Sequence, residues 1–529
     1  MSCVILREVA VRSRFFVFEL ENAAFFEMQD PYRIFLDGVF IRQSRHVVDT
    51  IYDLLPQTSY SITIVLFDGT TLSYSFTTEK ETVTLDVRKF GAKGDGVHDD
   101  TPAIQAAIAC CPAGGRVWIP YGVYHTGSIF LKSGLFLDID AGARISAFTD
   151  REKFPLLPGC VERTDGKGDC LFASWEGNPL DCFASIFTGI GVSHVTISGQ
   201  GIVDGNAGFD NWWKNDGRIK TDGGFRPRLV FLNRCSDVLV QGLTFQNSPA
   251  WNLHPYFSDH TQWVNLTVRN PKVSPNTDGI DPESVDDLTL LGCDFSLGDD
   301  CVAIKSGKYY MGDTYHVPSQ NIEIRHCRME NGHGAVTIGS EMAAGVHDVH
   351  VTECEFLHTD RGLRIKTRRG RGKAAVIDNI HFEYIRMEGV LTPFVVNSFY
   401  WCCDPDGHST YVSSKTPLPV DDRTPSVRNL EFNDIRAENC EVAACFIYGL
   451  PEAKIEQISM RHISILFSDD AKPMYPAMMA DLSPCAKKGI FIANVRDLLL
   501  EDINVTGQEG PIMELQGIDH KEMDTCEQQ

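Results

Sequence analysis

The 529-residue chain is predicted to be all-β, with a right-handed parallel β-helix over residues 81–529 preceded by a small β-sandwich over residues 1–80. Three observations carry this. A short pattern of alternating apolar residues recurs from about residue 238 to the end, period-two runs with a corner motif fill the first stretch, and long helix-period runs are absent from the repeating part. The composition, 43% hydrophobic and 22% charged, is that of an ordinary folded chain. The longest apolar runs, such as Phe491–Asn494 and Leu498–Leu500, are too short to span a bilayer.

In the first stretch the specific element is Leu54-x-Pro56-x-Thr58-x-Tyr60, followed by alternating Ile62 and Ile64 and the turn Phe67-Asp68-Gly69-Thr70. It resembles the E–F corner of fibronectin type III sandwiches, where a tyrosine hydroxyl ties the corner to nearby backbone. A spacer, a lid or an oligomer contact is the expected role, and a stability appendage without its own activity is the simplest one. From Asp86 the character changes. A short strand and a Gly-rich turn lead into a helix starting near Asp100 and Thr101, with Pro102 at the first helical position and Ile104, Ala107 and Ile108 at helical spacing. That helix is placed to cap the exposed end of the stack.

The repeat reads apolar, any, apolar, two of any kind, apolar, any, apolar. Its copies are Val238-Val240-Leu243-Phe245, Leu288-Leu290-Cys293-Phe295, Ile322-Ile324-Cys327-Met329 and Val349-Val351-Cys354-Phe356. It continues as Ile380-Phe382-Ile385-Met387, Leu430-Phe432-Ile435-Ala437, Ile458-Met460-Ile463-Ile465 and Leu498-Leu500-Ile503-Val505, with a weaker copy at Thr261-Trp263-Leu266-Val268. Successive starts from 261 differ by 27, 34, 27 and 31 residues. Short period-two strands at this interval suit coils that bury their inward face only against neighbouring coils.

Stacked coils bring equivalent residues about 4.8 Å apart, so residues one repeat apart in sequence converge. Four polar segments follow the repeat strands at comparable places: Asn276-Thr277-Asp278-Gly279-Ile280-Asp281, Gly298-Asp299-Asp300-Cys301, Gly332-His333-Gly334 and Arg364-Ile365-Lys366. With Leu363, Ile365, Val302 and Ile304 pointing inward, Arg364, Lys366 and Lys305 point outward. Three carboxylates, an imidazole and two or three cations then line one groove. Glycoside hydrolysis asks for this grouping: one carboxylic acid protonates the leaving oxygen while a carboxylate activates water, and crowding keeps one carboxyl protonated. Taken singly, an Asp-Asp pair is usually a solvated turn. Four such elements in order, one per coil, are not.

The order NTD, GDD, GHG, RIK resembles the polygalacturonase family of inverting glycoside hydrolases, pectin-lyase-like β-helix enzymes acting on α-1,4-linked galacturonan, over roughly residues 85–510. The resemblance implies Asp299 as general acid, Asp278 and Asp300 as the residues that hold and activate water, His333 as support for the acid's protonation, and Arg364 and Lys366 as ligands of substrate carboxylates. The variants NTDGIDPES, GDDCVAIKSGK and GAVTIGSEM look most like the bacterial exo-acting branch, and Gly332-His333-Gly334 favours a homogalacturonan backbone. Lys305 is added as a substrate contact. Asn276 is counted with it, although fixing the turn before Asp278 is the commoner role of such a residue.

No cofactor or metal is expected. The net charge of −23 argues against nucleic acid or anionic membrane as partner, and requires a locally positive site for an anionic oligosaccharide. The basic run Arg368, Arg369, Arg371 and Lys373 is either a solvated loop or a steering patch. Trp212, Trp213, Trp251, Tyr400 and Trp401 are candidates for sugar stacking or for core. Seventeen cysteines, mostly in strand-like segments, read as small buried hydrophobes. Arg7, Glu8, Arg12 and Arg14 interrupt the apolar residues near the first position, so a cytoplasmic home is expected. Two rival readings stand beside hydrolysis: calcium-assisted β-elimination on the same fold, as in pectate lyases, and a non-catalytic glycan-binding β-helix.

Overall fold

The computed structural model describes residues 4–165, 168–214, 226–401 and 409–524. Cys402 and Cys403, an adjacent pair in the sequence, lie outside the described residues. The first strands form two antiparallel sheets. One joins Ile5–Val11, Phe16–Glu21 and Val48–Ile51, and the other runs Val39–His46, Glu27–Leu36, Ser59–Val65, Thr71–Thr77. Alternation turns Phe16, Phe18, Tyr32, Ile34, Ile62, Ile64 and Phe76 into the space between them. At the corner the Leu55 N–H donates to the Tyr60 hydroxyl at 3.0 Å, the bond that the motif predicts.

The β-helix follows from Thr84. Every copy of the repeat stacks in register: Val238 on Thr261, Leu288, Ile322, Val349, Ile380, Leu430, Ile458 and Leu498 in turn. The second half of the pattern does the same, from Phe245 through Val268, Phe295 and Met329 to Val505. These inward residues merge into one continuous core that includes Cys293, Cys327 and Cys354 as stacked, buried side chains. The stack also extends upstream of residue 238, where Val195 pairs with Val238 and Val203 with Phe245. That coil escapes the pattern because Gly201 takes the inward place held by Leu243, and one additional residue separates its two halves. The helix Thr101–Cys110 buries Ile104, Ala107 and Ile108 in the same core, with Pro102 in its first turn.

A second parallel sheet runs along another flank through Val302–Ile304, Val336–Gly339, Arg361–Lys366, Thr392–Asn397, Ala443–Tyr448, Lys488–Ala493 and Met513–Gln516. The sandwich packs on the long sheet instead. Ala10, Phe15, Val17 and Val48 meet Leu239, Val264 and Leu291, Gln241 donates to Thr50 at 2.8 Å, and buried Glu19 pairs with Arg325 at 2.9 Å and His326 at 3.1 Å. Arg364 and Lys366 project from the second sheet, whereas the contacts of the sandwich are with the long one.

Candidate active site

The site is built at one corner of the coils, where the chain leaves the long sheet and enters the second. Asp278 lies between the strand Thr267–Arg269 and the paired residue Ile280, Asp299 and Asp300 between Asp294–Ser296 and Val302–Ile304, and His333 between Arg328–Glu330 and Val336–Gly339. Backbone bonds hold successive coils together here: Gly279 N–H donates to the Asp300 carbonyl at 3.0 Å, His333 N–H to the Asp299 carbonyl at 3.1 Å, and Cys301 N–H to the Gly334 carbonyl at 2.8 Å. Gly334 is required by closeness, since a β-carbon there would stand 3.0 Å from an Asp300 carboxylate oxygen and crowd the Thr337 hydroxyl.

Oxygens of Asp278, Asp299 and Asp300 all lie within 4.8 Å of one another, the single such acidic trio among the described residues. Their surroundings differ. Asp300 is buried and doubly clamped: Arg364 Nη1 donates to Oδ1 at 2.9 Å and Lys366 Nζ to Oδ2 at 2.8 Å. Burial alone would raise this carboxyl, but the two cations overcome it and hold it below its ordinary range. Asp278 is also buried, and burial, with Asp281 and Asp299 adding like charge, lifts it well above the usual carboxylate range. Asp299 is the most exposed of the three, its side chain 23% open beside a half-open His333 whose Nδ1 stands 3.3 Å from Oδ1. Burial opposes ionisation of Asp299, yet the bond from His333 wins and lowers it, and the same bond raises the imidazole. The trio therefore contains one carboxylate held as an anion by two cations, one favoured as an anion by His333, and one, Asp278, in which burial and like charge favour the protonated form.

Lys305 does not face open solvent. Its Nζ lies 3.3 Å from Asp281, 3.5 Å from Glu341 and 3.9 Å from Asp278, and 4.9 Å from the centre of the Trp251 ring. It is a shared counterion of the acids behind the site. Asp281 and Glu283 there are pushed up to about 7 by burial, against the pull of Lys305. Asn276 has a left-handed backbone, φ 54°, and its side-chain amide oxygen Oδ1 accepts from Arg226 at 2.8 Å, which makes it a turn residue. Asp281, Glu341 and the arch over residues 468–487 were not singled out from sequence. Asp281 and Glu341 sit inside the quoted motif variants, whereas the arch carries no polar signal.

The basic run is not a steering patch. Arg369 is buried on Glu452 at 2.9 Å and on the carbonyls of Tyr411 and Ser414, Arg368 and Arg371 are buried, and exposed Lys373 is paired with Asp422. Arg369 and Lys373 tie loops together, and Arg371 adds to the positive charge around Glu341. Trp212 and Trp213 belong to the core. Trp251 and Tyr400 instead flank the cations, the Tyr400 ring centre lying 5.6 Å from Lys366 Nζ.

Residues 165–473 match the family described as glycosyl hydrolases family 28. The chain belongs to this family. Residues 84–137, the first coils, match a second description, rhamnogalacturonase A/epimerase, pectate lyase-like. The family 28 chain is 32% identical over 316 residues to an endo-polygalacturonase of Pectobacterium carotovorum subsp. carotovorum, covering 57% of this chain and 72% of that protein. It is 25% identical over 495 residues to an exo-poly-alpha-D-galacturonosidase of Dickeya chrysanthemi, covering 83% and 77%. Its fold matches the Yersinia enterocolitica family 28 exopolygalacturonase with a TM-score of 0.71 at 17% identity, over 98% of each chain. This family 28 protein is a glycoside hydrolase on a parallel β-helix.

Proposed function

We propose that the enzyme hydrolyses α-1,4 links of homogalacturonan or oligogalacturonides, removing units from a chain end with inversion. The observation that carries this is Asp300 clamped by Arg364 and Lys366 within 4.8 Å of two further carboxyls, so that an anion, a proton and cations for a uronate share one groove. Asp278 and Asp300 hold and activate water. Asp299, the carboxyl nearest solvent, delivers the proton to the leaving oxygen after receiving it from Asp278. His333, expected to support protonation of Asp299, instead bonds and favours its anionic form. Arg364 and Lys366, besides fixing Asp300, present remaining N–H groups to the substrate carboxylate. The elevated Asp278 favours a second assignment, in which Asp278 is the donor and Asp299 the base.

Inversion rests on the family likeness. Exo action is supported by the Dickeya relative, which shares 83% of this chain, against 57% for the endo-acting one. A cytoplasmic setting belongs to the same proposal, supported by the use of Cys293, Cys327 and Cys354 as core side chains.

The test is digestion of a defined oligogalacturonide followed by proton NMR. Release of end units with β-configured product appearing first is expected, and internal cleavage or initial α product contradicts the reading. Galacturonides with an activated aryl leaving group separate the two assignments, because they need no proton donor. If Asp299 is the acid, Asp299→Asn keeps most activity on them and Asp278→Asn does not; the reverse makes Asp278 the acid.

A further inference from the structure

The guanidinium of Arg364 has two working edges. Nη1 is committed to Asp300, while Nη2 donates to the thioether sulfur of Met478 at 3.0 Å. A thioether is a weak acceptor, and it is an unusual partner for a buried cation. Its position is built by the fold. Met478 belongs to the arch over residues 468–487, whose carbonyls are held by side chains of the β-helix. Arg361 donates to the carbonyls of Tyr475 at 2.7 Å and Pro476 at 3.0 Å, and Asn397 donates to that of Met478 at 2.8 Å. The bridge between Tyr400 and Met479 completes the anchorage. Arg361 lies on the same strand as Arg364, so arch and arginine are fixed to one coil. The arch backbone is thus pinned while Met478, 39% exposed, lays its sulfur on the second edge of the arginine.

Resting on the reading of Arg364 as a uronate ligand, we infer that Met478 is a specificity-determining residue: its sulfur occupies Nη2 as a displaceable acceptor, keeping that edge available to the substrate carboxylate. A strong acceptor in the same place closes the subsite. The chemistry offers such a change at one atom. A peroxide transfers one oxygen to the sulfur, the methionine is oxidised to its sulfoxide, the peroxide O–O bond breaks, and water leaves. The new S–O oxygen accepts strongly from the charged Nη2–H, and a uronate must then break a charge-assisted bond before it binds.

The experiment uses the full chain. Wild type, Met478→Leu and Met478→Gln are assayed on a short oligogalacturonide before and after brief hydrogen peroxide treatment, with peptide mass spectrometry locating the added oxygen. Oxidised wild type is expected to show KM raised about tenfold, the scale of one hydrogen bond to a charged group, with kcat changed less than about twofold. Met478→Gln reproduces this without peroxide, and Met478→Leu keeps its KM through the treatment. An equal KM rise in treated Met478→Leu, an unchanged KM in wild type oxidised at 478, or a loss confined to kcat overturns the inference. Failure of the underlying reading shows separately, as absence of uronide hydrolysis by untreated wild type.

Discussion

Replacing Lys305 by methionine keeps a buried stem of similar length and removes the charge that Asp281, Glu341 and Asp278 share at 3.3, 3.5 and 3.9 Å. At an effective dielectric near 20 each attraction amounts to roughly 4–5 kcal/mol. Desolvation of the ammonium cancels much of that, and breaking a buried ion network by removing one partner costs about 3–5 kcal/mol. The cost has a definite pH dependence. Asp281 and Glu283, at about 7 in the folded protein, sit above the unfolded carboxyl range near 4. A raised carboxyl contributes stability that is fully present below the unfolded value and is lost as pH rises through the folded one. In the wild type that loss runs from about pH 4 to pH 7. Without Lys305 the folded values of Asp281 and Asp278 climb further, so the loss continues above pH 7 and the deficit against wild type widens. At pH 5 Asp281, at about 7, is protonated in both proteins, and the lost Glu341 pair dominates what remains. Thermal melts in matched buffers should show a midpoint loss at pH 8 about twice that at pH 5. An equal loss at both pH values, or a larger one at pH 5, refutes the account of Lys305 as counterion to these acids.

Three further outcomes are expected. Asp300→Asn should lower turnover in a reducing-sugar assay by about two orders of magnitude or more, because it removes the carboxylate that Arg364 and Lys366 clamp as an anion. The His333 imidazole, raised by Asp299, stays charged below its ordinary value and loses that charge as pH rises through the folded one, so Asp299→Asn should move its NMR titration to lower pH. Glu19→Gln removes the partner of Arg325 and His326 between sandwich and β-helix, and should cost about 3–5 kcal/mol in unfolding free energy with kcat unchanged.

The fold was legible because inward positions of a β-helix must be apolar at fixed intervals, and Leu288, Ile322, Val349 and Ile380 announce themselves by that rule. Where a glycine takes an inward place, as Gly201 does, the rule falls silent and the coil is invisible. The trio and His333 were legible because their segments recur one per coil, and Arg364 and Lys366 because alternation decides facing within a strand. What alternation leaves undecided is the partner. Lys305 points out of the core as expected, yet meets Asp281 and Glu341 instead of open groove. Arg369 belongs to a basic run and is neutralised by Glu452, more than eighty residues away, a pairing set by loop folding alone. Met478 sits in an arch with neither repeat nor charge motif, and only its packing on Arg364 reveals it.

Heat and wear should reach the chemistry late. In a stack whose coils lean only on their immediate neighbours, fraying begins at an end and advances one step at a time. Four strands of the second sheet, from Thr392–Asn397 to Met513–Gln516, stand between Lys366 and the far end. They act as a sacrificial margin. Amide exchange that climbs through Met513–Gln516 and Lys488–Ala493 on warming can run well ahead of any loss of catalysis.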